Sequence, residues 1–307
     1  MGPRLSAGLT AAACAAAVSG CGLGPGPGTS NATLTVTKGF GAVPVAHTSE
    51  RHVPGSETVM RMLERHLRVS TRYGGGFVES IDGRSGSSSR LDWFYYINGV
   101  QAPIGAATTA VHKGDRIWWD LHDWSVTNSI PAVVGSFPEP FVHGTAGRRL
   151  PMTLECAPDV PTACARVTKE FQTLKIPFAS QIIGGGSGTD SLAVIVGTWQ
   201  DLAPALVAQL LDSGPKSSGV YARFTNHGSS LALLDPRGRV VRRLAGTAGL
   251  VAATADGSSP PTWMVTGTNG SGVDAAASAL TPAALHDHFA LAVHGTSRLP
   301  VPLDGLR

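Results

Sequence analysis

What is missing from this chain of 307 residues narrows its biology first. Its N-terminal apolar stretch, Leu5 to Val18, is shorter than the roughly 20 residues a helix needs to cross the hydrocarbon core, which disfavours a permanent span there. There is no basic run or stripe, and the formal net charge is only +3, which argues against nucleic acid as a partner. No Gly-x-Ser-x-Gly nucleophile elbow occurs and the carboxylates are scattered, so no catalytic residue is nominated and the chain reads as a non-enzyme. Cysteine is scarce, with four in all and no flanking histidine pair, so no zinc site is expected.

The cysteines that are present are informative. Arg4 precedes the Leu5–Val18 stretch, which is the order of a secretory signal, and Val18-Ser19-Gly20-Cys21 resembles the bacterial lipobox. Cys21 is then the lipidated first residue of the mature protein, and Gly22-Leu23-Gly24-Pro25-Gly26-Pro27-Gly28-Thr29-Ser30 is a flexible tether with no apolar periodicity. Two or three acyl chains on one cysteine hold a protein to a membrane far more firmly than one. Cys14 leaves with the signal, so Cys156 and Cys164 remain as an even pair, read as a disulfide in an oxidising compartment.

The rest divides by composition. Residues 32–125 carry four of the six tryptophans and three of the four tyrosines. Residues 150–307 are richer in alanine, valine and leucine. Pro131, Pro138 and Pro140 mark residues 126–149 as a linker. With a signal peptide over 1–20 and a tether over 21–31, the expected fold class is α+β. A β-grasp-like N-terminal domain is followed by a separate α/β domain with a mixed sheet.

In the first domain, Leu34 and Val36 alternate with Thr33, Thr35 and Thr37, predicting a strand over 32–38. Ser56 is placed to cap a helix whose apolar stripe is Val59, Met60, Leu63 and Leu67. Strands are expected at Phe77–Ile81, Trp93–Ile97 and Arg116–Leu121 on one sheet, with Asn98-Gly99 as a type I′ turn. Trp93, Tyr95 and Ile97 share one face of their strand, while Phe94, Tyr96 and Asn98 share the other. Trp118, Asp120 and His122 lie opposite Trp119 and Leu121.

One helix covers one face of such a sheet. The other is a stacking platform for a ring-bearing ligand, with Phe94, Tyr96, Asn98, Trp118, Asp120 and His122 as its candidate binding residues, or it is the surface on which the second domain packs. His122 and Asp123 beside Asp120 have no accompanying ligand motif, and no metal is expected there.

The elements Gly55-Ser56-Glu57-Thr58-Val59, Gly76-Phe77-Val78, Trp93-Phe94-Tyr95-Tyr96-Ile97-Asn98-Gly99 and Gly114-Asp115-Arg116-Ile117-Trp118-Trp119, in that order, resemble the transcobalamin-like C-terminal domain family (domain of unknown function 4430). The resemblance covers about residues 32–125. In vertebrate cobalamin carriers a related domain closes over the corrin together with an all-helical barrel. This chain has no barrel, so cobalamin follows only as a ligand to be tested, and no cofactor is required.

In the second domain, strands are expected at 152–156, 177–183 and 191–197, with helices at 163–174, 203–211 and 273–280. Three short strands, at 220–224, 231–235 and 240–244, suggest a meander. The glycine loop Gly184–Thr189 precedes a strand rather than a helix, so it is no phosphate cradle. Two segments, 193–211 and 262–280, each run strand, Gly-Thr turn, helix, a faint internal repeat. His286-Asp287-His288 lacks a partnered serine motif and further metal ligands, and reads as a polar turn.

These features point to a lipoprotein on the outer face of the cell membrane, extracytoplasmic, that binds a small molecule or a surface partner such as a transporter component. The alternative is a structural or envelope-assembly lipoprotein with no small-molecule ligand.

Overall fold

A computed structural model describes residues 30–87, 90–184 and 190–303, together with Gly2 and Gly28. The lipobox, Cys21, most of the tether and the centre of the glycine loop lie outside the described residues. Among the described residues no helix is long and apolar enough to cross a membrane.

The first lobe runs β1 (Ala32–Lys38), β2 (Val43–Glu50), α1 (Val59–His66), β3 (Val69–Arg72), β4 (Phe77–Ile81), β5 (Arg84–Ser85), β6 (Leu91–Ile97), β7 (Val100–Gln101) and β8 (Arg116–Asp123). Its main sheet has the order β2-β1-β8-β6-β7, with β1 and β8 parallel and every other pair antiparallel. An N-terminal hairpin, a helix, and a last strand returning parallel to the first give the β-grasp outline.

Three details differ from expectation. Strand β2, whose residues show no apolar alternation, has no sequence signature. Phe77–Ile81 joins a separate three-stranded sheet, β3-β4-β5, because β6 pairs with β8 and β7 and leaves it no place in the main sheet. Helix α1 starts at Val59 and its cap is Thr58, whose Oγ1 accepts the Arg61 N–H at 3.2 Å. Val59, Met60, Met62 and Leu63 bury one helix face against Leu34, Val36, Tyr95, Ile117 and Trp119, the first of three cores.

The second lobe contains β9 (Met152–Cys156), α2 (Pro161–Thr173), β10 (Ala179–Ile182), β11 (Leu192–Thr198), α3 (Trp199–Leu202), α4 (Leu206–Asp212), α5 (Pro215–Ser218), β12 (Ala222–Thr225), β13 (Ser230–Leu234), β14 (Val240–Ala245), β15 (Ala248–Thr254), β16 (Thr262–Gly267), α6 (Gly270–Ala279), α7 (Pro282–Leu285), β17 (Ala290–His294) and β18 (Ser297–Val301). Seven strands form a mixed sheet, β10-β9-β11-β16-β15-β17-β18, and β12-β13-β14 is an antiparallel meander.

The unbroken apolar runs at β11, β15 and β16 are buried on both faces, as parallel or central strands require. The helix expected over 203–211 is confined to α4, from Leu206, with the one-turn α3 ahead of it: Pro204 has no N–H to donate and interrupts the chain between the two. Cys156, at the end of β9, is bonded to Cys164 on α2, so the bridge ties strand to helix.

Residues 126–149 are not an exposed linker. Val134, Phe137 and Phe141 enter the core formed with α2 and α6 on one face of the large sheet. Ile130 and Val133 enter the core on its opposite face, where the first lobe docks. The connector therefore welds the lobes together.

Candidate functional site

Alternation along β1, β6 and β8 sends one set of side chains to α1 and the other to the second lobe. The second set is the expected platform, and it is covered. Tyr96, Asn98, Trp118, Asp120 and His122 are each at most 2% exposed, and Phe94 is half-buried.

Phe289, which precedes β17, drives its ring among them, edge-on to Tyr96 at 5.5 Å, Trp118 at 5.1 Å and His122 at 5.4 Å. His122 is stacked between Phe40 at 4.6 Å and Phe94 at 4.5 Å. Tyr221 closes the cluster against Phe40 at 5.2 Å. Of the two readings of this face, ligand platform or packing surface, the rings of the second lobe take up the second: their burial removes more aromatic area from water than leaving the face open.

Polar groups in the junction are held by one another. Asp120 accepts hydrogen bonds from Thr37 Oγ1 at 2.5 Å and from the backbone N–H of Phe40 and Gly41, both at 2.9 Å, and its Oδ1 lies 2.9 Å from His122 Nδ1. Thr37 Oγ1 in turn accepts from Trp118 Nε1 at 2.7 Å. The Tyr96 hydroxyl, with no hydrogen-bond partner among the described residues, is held well above the usual phenol range by burial, with the Asp120 charge adding.

Asn98 stands apart, at φ 54° in the turn to β7. Its amide donates to Asp115 Oδ1 and to the Gly144 carbonyl at 2.9 and 2.6 Å, so its role is to pin the turn. Asp123 is engaged by Arg90 and by the Ser125 N–H.

Where this junction reaches the surface it opens into a cleft of about 390 Å³. Thr33 and Thr35 of β1, Arg116 and Trp118 of β8, and His47 of β2 form one wall. Gly135-Ser136 of the connector and Pro282, Ala283, His286 and Asp287 of the second lobe form the other. A shallower depression of about 520 Å³ shares Thr35, His47, His286 and Asp287.

Two glycines make the close approach of the lobes here feasible. A Cβ on Gly41 (φ 83°) would fall 1.8 Å from the Asp287 carbonyl oxygen, and one on Gly135 would fall 2.7 Å from Trp118 Cζ3 and 2.8 Å from the His288 nitrogen.

The polar equipment of the cleft is distinctive. His47 Nδ1 shares a hydrogen bond with Thr35 Oγ1 at 3.0 Å, and His286 Nδ1 lies 3.1 Å from Asp287 Oδ2, so each imidazole is oriented through one nitrogen while the other has no hydrogen-bond partner among the described residues. The Arg116 guanidinium donates only to carbonyls, those of Ser136 at 3.3 Å and Phe137 at 2.9 Å, and has no carboxylate partner among the described residues. Burial raises the Asp287 carboxyl above its ordinary value against the opposing pull of His286, His47 and His288, with the Asp120 charge adding to the rise.

The polar turn read at 286–288 is a turn, with Asp287 in the left-handed region at φ 57°. Its place on the cleft wall was not legible from its neighbours in sequence. Thr33 and Thr35 could have been found, since the β1 alternation puts them on the face of Trp118. His47 could not, because its strand carries no pattern.

A larger groove of about 680 Å³ beside β11 is lined by Glu155, Asp201 and Asp256 among others. Two of these acids are already engaged: Glu155 by Gln181 Nε2 and the Gly184 N–H, Asp201 by the cap of α3 at Thr198. Among the described residues no group of three or more histidine, cysteine or acidic side chains could hold a metal ion.

Comparison with known proteins agrees with the first-lobe reading. Residues 56–123 match a family model described as "Domain of unknown function (DUF4430)". No curated protein matches the chain. Among solved structures, one from Ruminococcus gnavus ATCC 29149, titled as that of "a putative metal binding protein", is similar at 20% identity with a TM-score of 0.25. The match covers 31% of this chain and 97% of that one.

Proposed function

We propose that this chain, with a domain of that family over residues 56–123, is a lipid-anchored extracytoplasmic protein that binds a small polar molecule in the cleft between its lobes. The observation that carries the reading is the cleft itself. It is concave, is walled by both lobes, and brings together His47, Arg116, His286 and Asp287 from distant parts of the sequence. Its volume of about 390 Å³ lies near the lower end of the range for small-molecule sites.

That size, and the rings already filling the aromatic face, speak against a corrin stacking on Phe94, Tyr96 and Trp118. Calorimetry of the mature protein with a library of small polar metabolites tests the reading. Saturable binding weakened by His47→Ala and His286→Ala supports it. Failure of every compound to bind, or a cobalamin-dependent change in corrin absorbance, counts against it.

The anchoring half rests on Val18-Ser19-Gly20-Cys21 and the tether behind it. Cys21→Ala is expected to move the protein from the membrane fraction to the soluble one, with loss of the acyl mass by mass spectrometry. Unchanged retention and mass would remove the lipid.

A second reading is favoured by one observation, the packed interface: a structural envelope lipoprotein whose aromatic face serves only to join its lobes. It predicts that no small molecule binds while the Cys21→Ala result is unchanged.

A further inference from the structure

Charge in the junction cleft is arranged in a way that the packing of the lobes does not require. Arg116 lines the cleft half-buried and, among the described residues, is compensated only by the Ser136 and Phe137 carbonyls. A partly desolvated guanidinium normally meets a carboxylate or a phosphate, whose planar or tripodal oxygens match its fork of donors. The acid next to it in sequence, Asp115, is committed elsewhere, to the Asn98 amide at 2.9 Å and the His112 N–H at 2.7 Å. One Arg116 nitrogen is used on the carbonyls, leaving Nε and Nη2 for a ligand.

Across the same cleft Asp287 has the opposite need. Its carboxylate is half-buried, paired with His286 and facing His47 and His288, and among the described residues no lysine or arginine pairs with it. An imidazole, unlike a guanidinium, carries no permanent charge, so it is a weaker counter-ion.

The cleft therefore presents one under-compensated cation and one under-compensated anion in a single space of about 390 Å³. Thr33 and Thr35 on the sheet wall and Ser136 on the connector line the same space. A dianion would be repelled by Asp287 and a simple amine by Arg116. A neutral sugar would leave both charges without a partner, which is costly in a half-desolvated site.

We propose that the cleft recognises a small zwitterion of the amino-acid class, its carboxylate on Arg116 and its ammonium on Asp287. This inference rests on the proposed binding role and names its ligand class. His47 and His286 flank the same space and contact the part of the ligand between or beyond the two charges.

The test is calorimetry on the full mature chain carrying Cys21→Ser, with single amino acids, glycine betaine, acetate, methylamine, succinate, inorganic phosphate and glucose as probes. At least one amino acid is expected to bind saturably, and acetate or methylamine alone at least about tenfold more weakly, because each forgoes one charge-assisted contact. Arg116→Gln and Asp287→Asn are each expected to weaken amino-acid binding by about tenfold or more. Asp287→Asn keeps a residue type that tolerates the left-handed backbone, and a melting temperature near that of the parent shows that the fold is intact. Arg116→Lys retains charge without the fork and is expected to fall between the parent and Arg116→Gln.

Tightest binding of glucose, succinate or phosphate, or amino-acid binding indifferent to both Asp287→Asn and Arg116→Gln, would overturn the zwitterion. If one of those other probes binds and His47→Ala or His286→Ala weakens it, the binding role survives without this ligand class. If the wider metabolite library also gives no binding, the binding role fails with it.

Discussion

At the scale of single residues, the junction is governed by what happens to polar groups when water leaves. Asp120 answers four donors at once, those of Thr37, Phe40, Gly41 and His122. Asp120→Ala would leave two backbone N–H groups with no acceptor and the Thr37 hydroxyl with only the distant Trp119 carbonyl, at about 1 to 3 kcal/mol for each group that stays buried. A loss of roughly 3 kcal/mol or more in urea unfolding is expected, well beyond what an exposed Asp→Ala change does.

His288 makes the junction sensitive to pH. Burial is the main cause that lowers its pKa below 6.5, against the pull of Asp287. The unfolded chain then takes up a proton near pH 6.5 that the folded protein refuses, so stability falls as pH drops through 6.5 toward the folded value. The urea midpoint is expected to be lower at pH 5.5 than at pH 7.5, and His288→Gln should flatten that part of the profile. Asp235 acts further down the scale. Burial opposes its ionisation, but hydrogen bonds from Arg239 and Arg237 outweigh it and lower its pKa, so its contribution is present above its ordinary value and fades in stronger acid.

At the scale of elements, local signals worked where a strand or helix buries one face and failed where something else decided. Helix α2 and strand β9 follow their apolar residues, and the disulfide between Cys156 and Cys164 adds a covalent tie across eight positions. For so short a loop the chain-entropy model gives about 2 to 3 kcal/mol. Replacing both cysteines by alanine is expected to lower stability by that amount, read as a shift in the urea midpoint at unchanged slope.

Strand β2 has no alternating pattern because it lies at the sheet edge with both faces partly wet, so no burial requirement shaped its side chains. Phe77–Ile81 is the strand its position between two turns suggested, yet which sheet it joins depends on the partners of β6 and β8, something its own residues do not encode.

At the scale of the molecule, Phe289 couples the two lobes. Its ring meets Phe40, Tyr96, Trp118 and His122 within 5.5 Å between centroids. Phe289→Ala would open a cavity there at about 3 to 5 kcal/mol. Calorimetric unfolding is expected to change from one cooperative transition to two, as each lobe keeps its own core while the interface is lost. A single transition displaced to lower temperature would show instead that the connector alone keeps the lobes coupled.

Period-two alternation in β1, β6 and β8 already divided the first lobe into a helix-facing set and a second aromatic set, because successive strand residues must point to opposite sides. The Cys156 and Cys164 pairing and the mixed, buried character of the second sheet were likewise legible, since even cysteine number and unbroken apolar runs have few other solutions. What covers the second aromatic set was not. Phe94, Tyr96, Trp118, Asp120 and His122 read as a ligand platform or a packing face, and only the docking of Phe289 and Tyr221 made all but the half-buried Phe94 interior. The cleft belongs wholly to that level. His47, Arg116 and Asp287 sit far apart along the chain on an edge strand, a central strand and a turn, and become neighbours because two lobes close on each other.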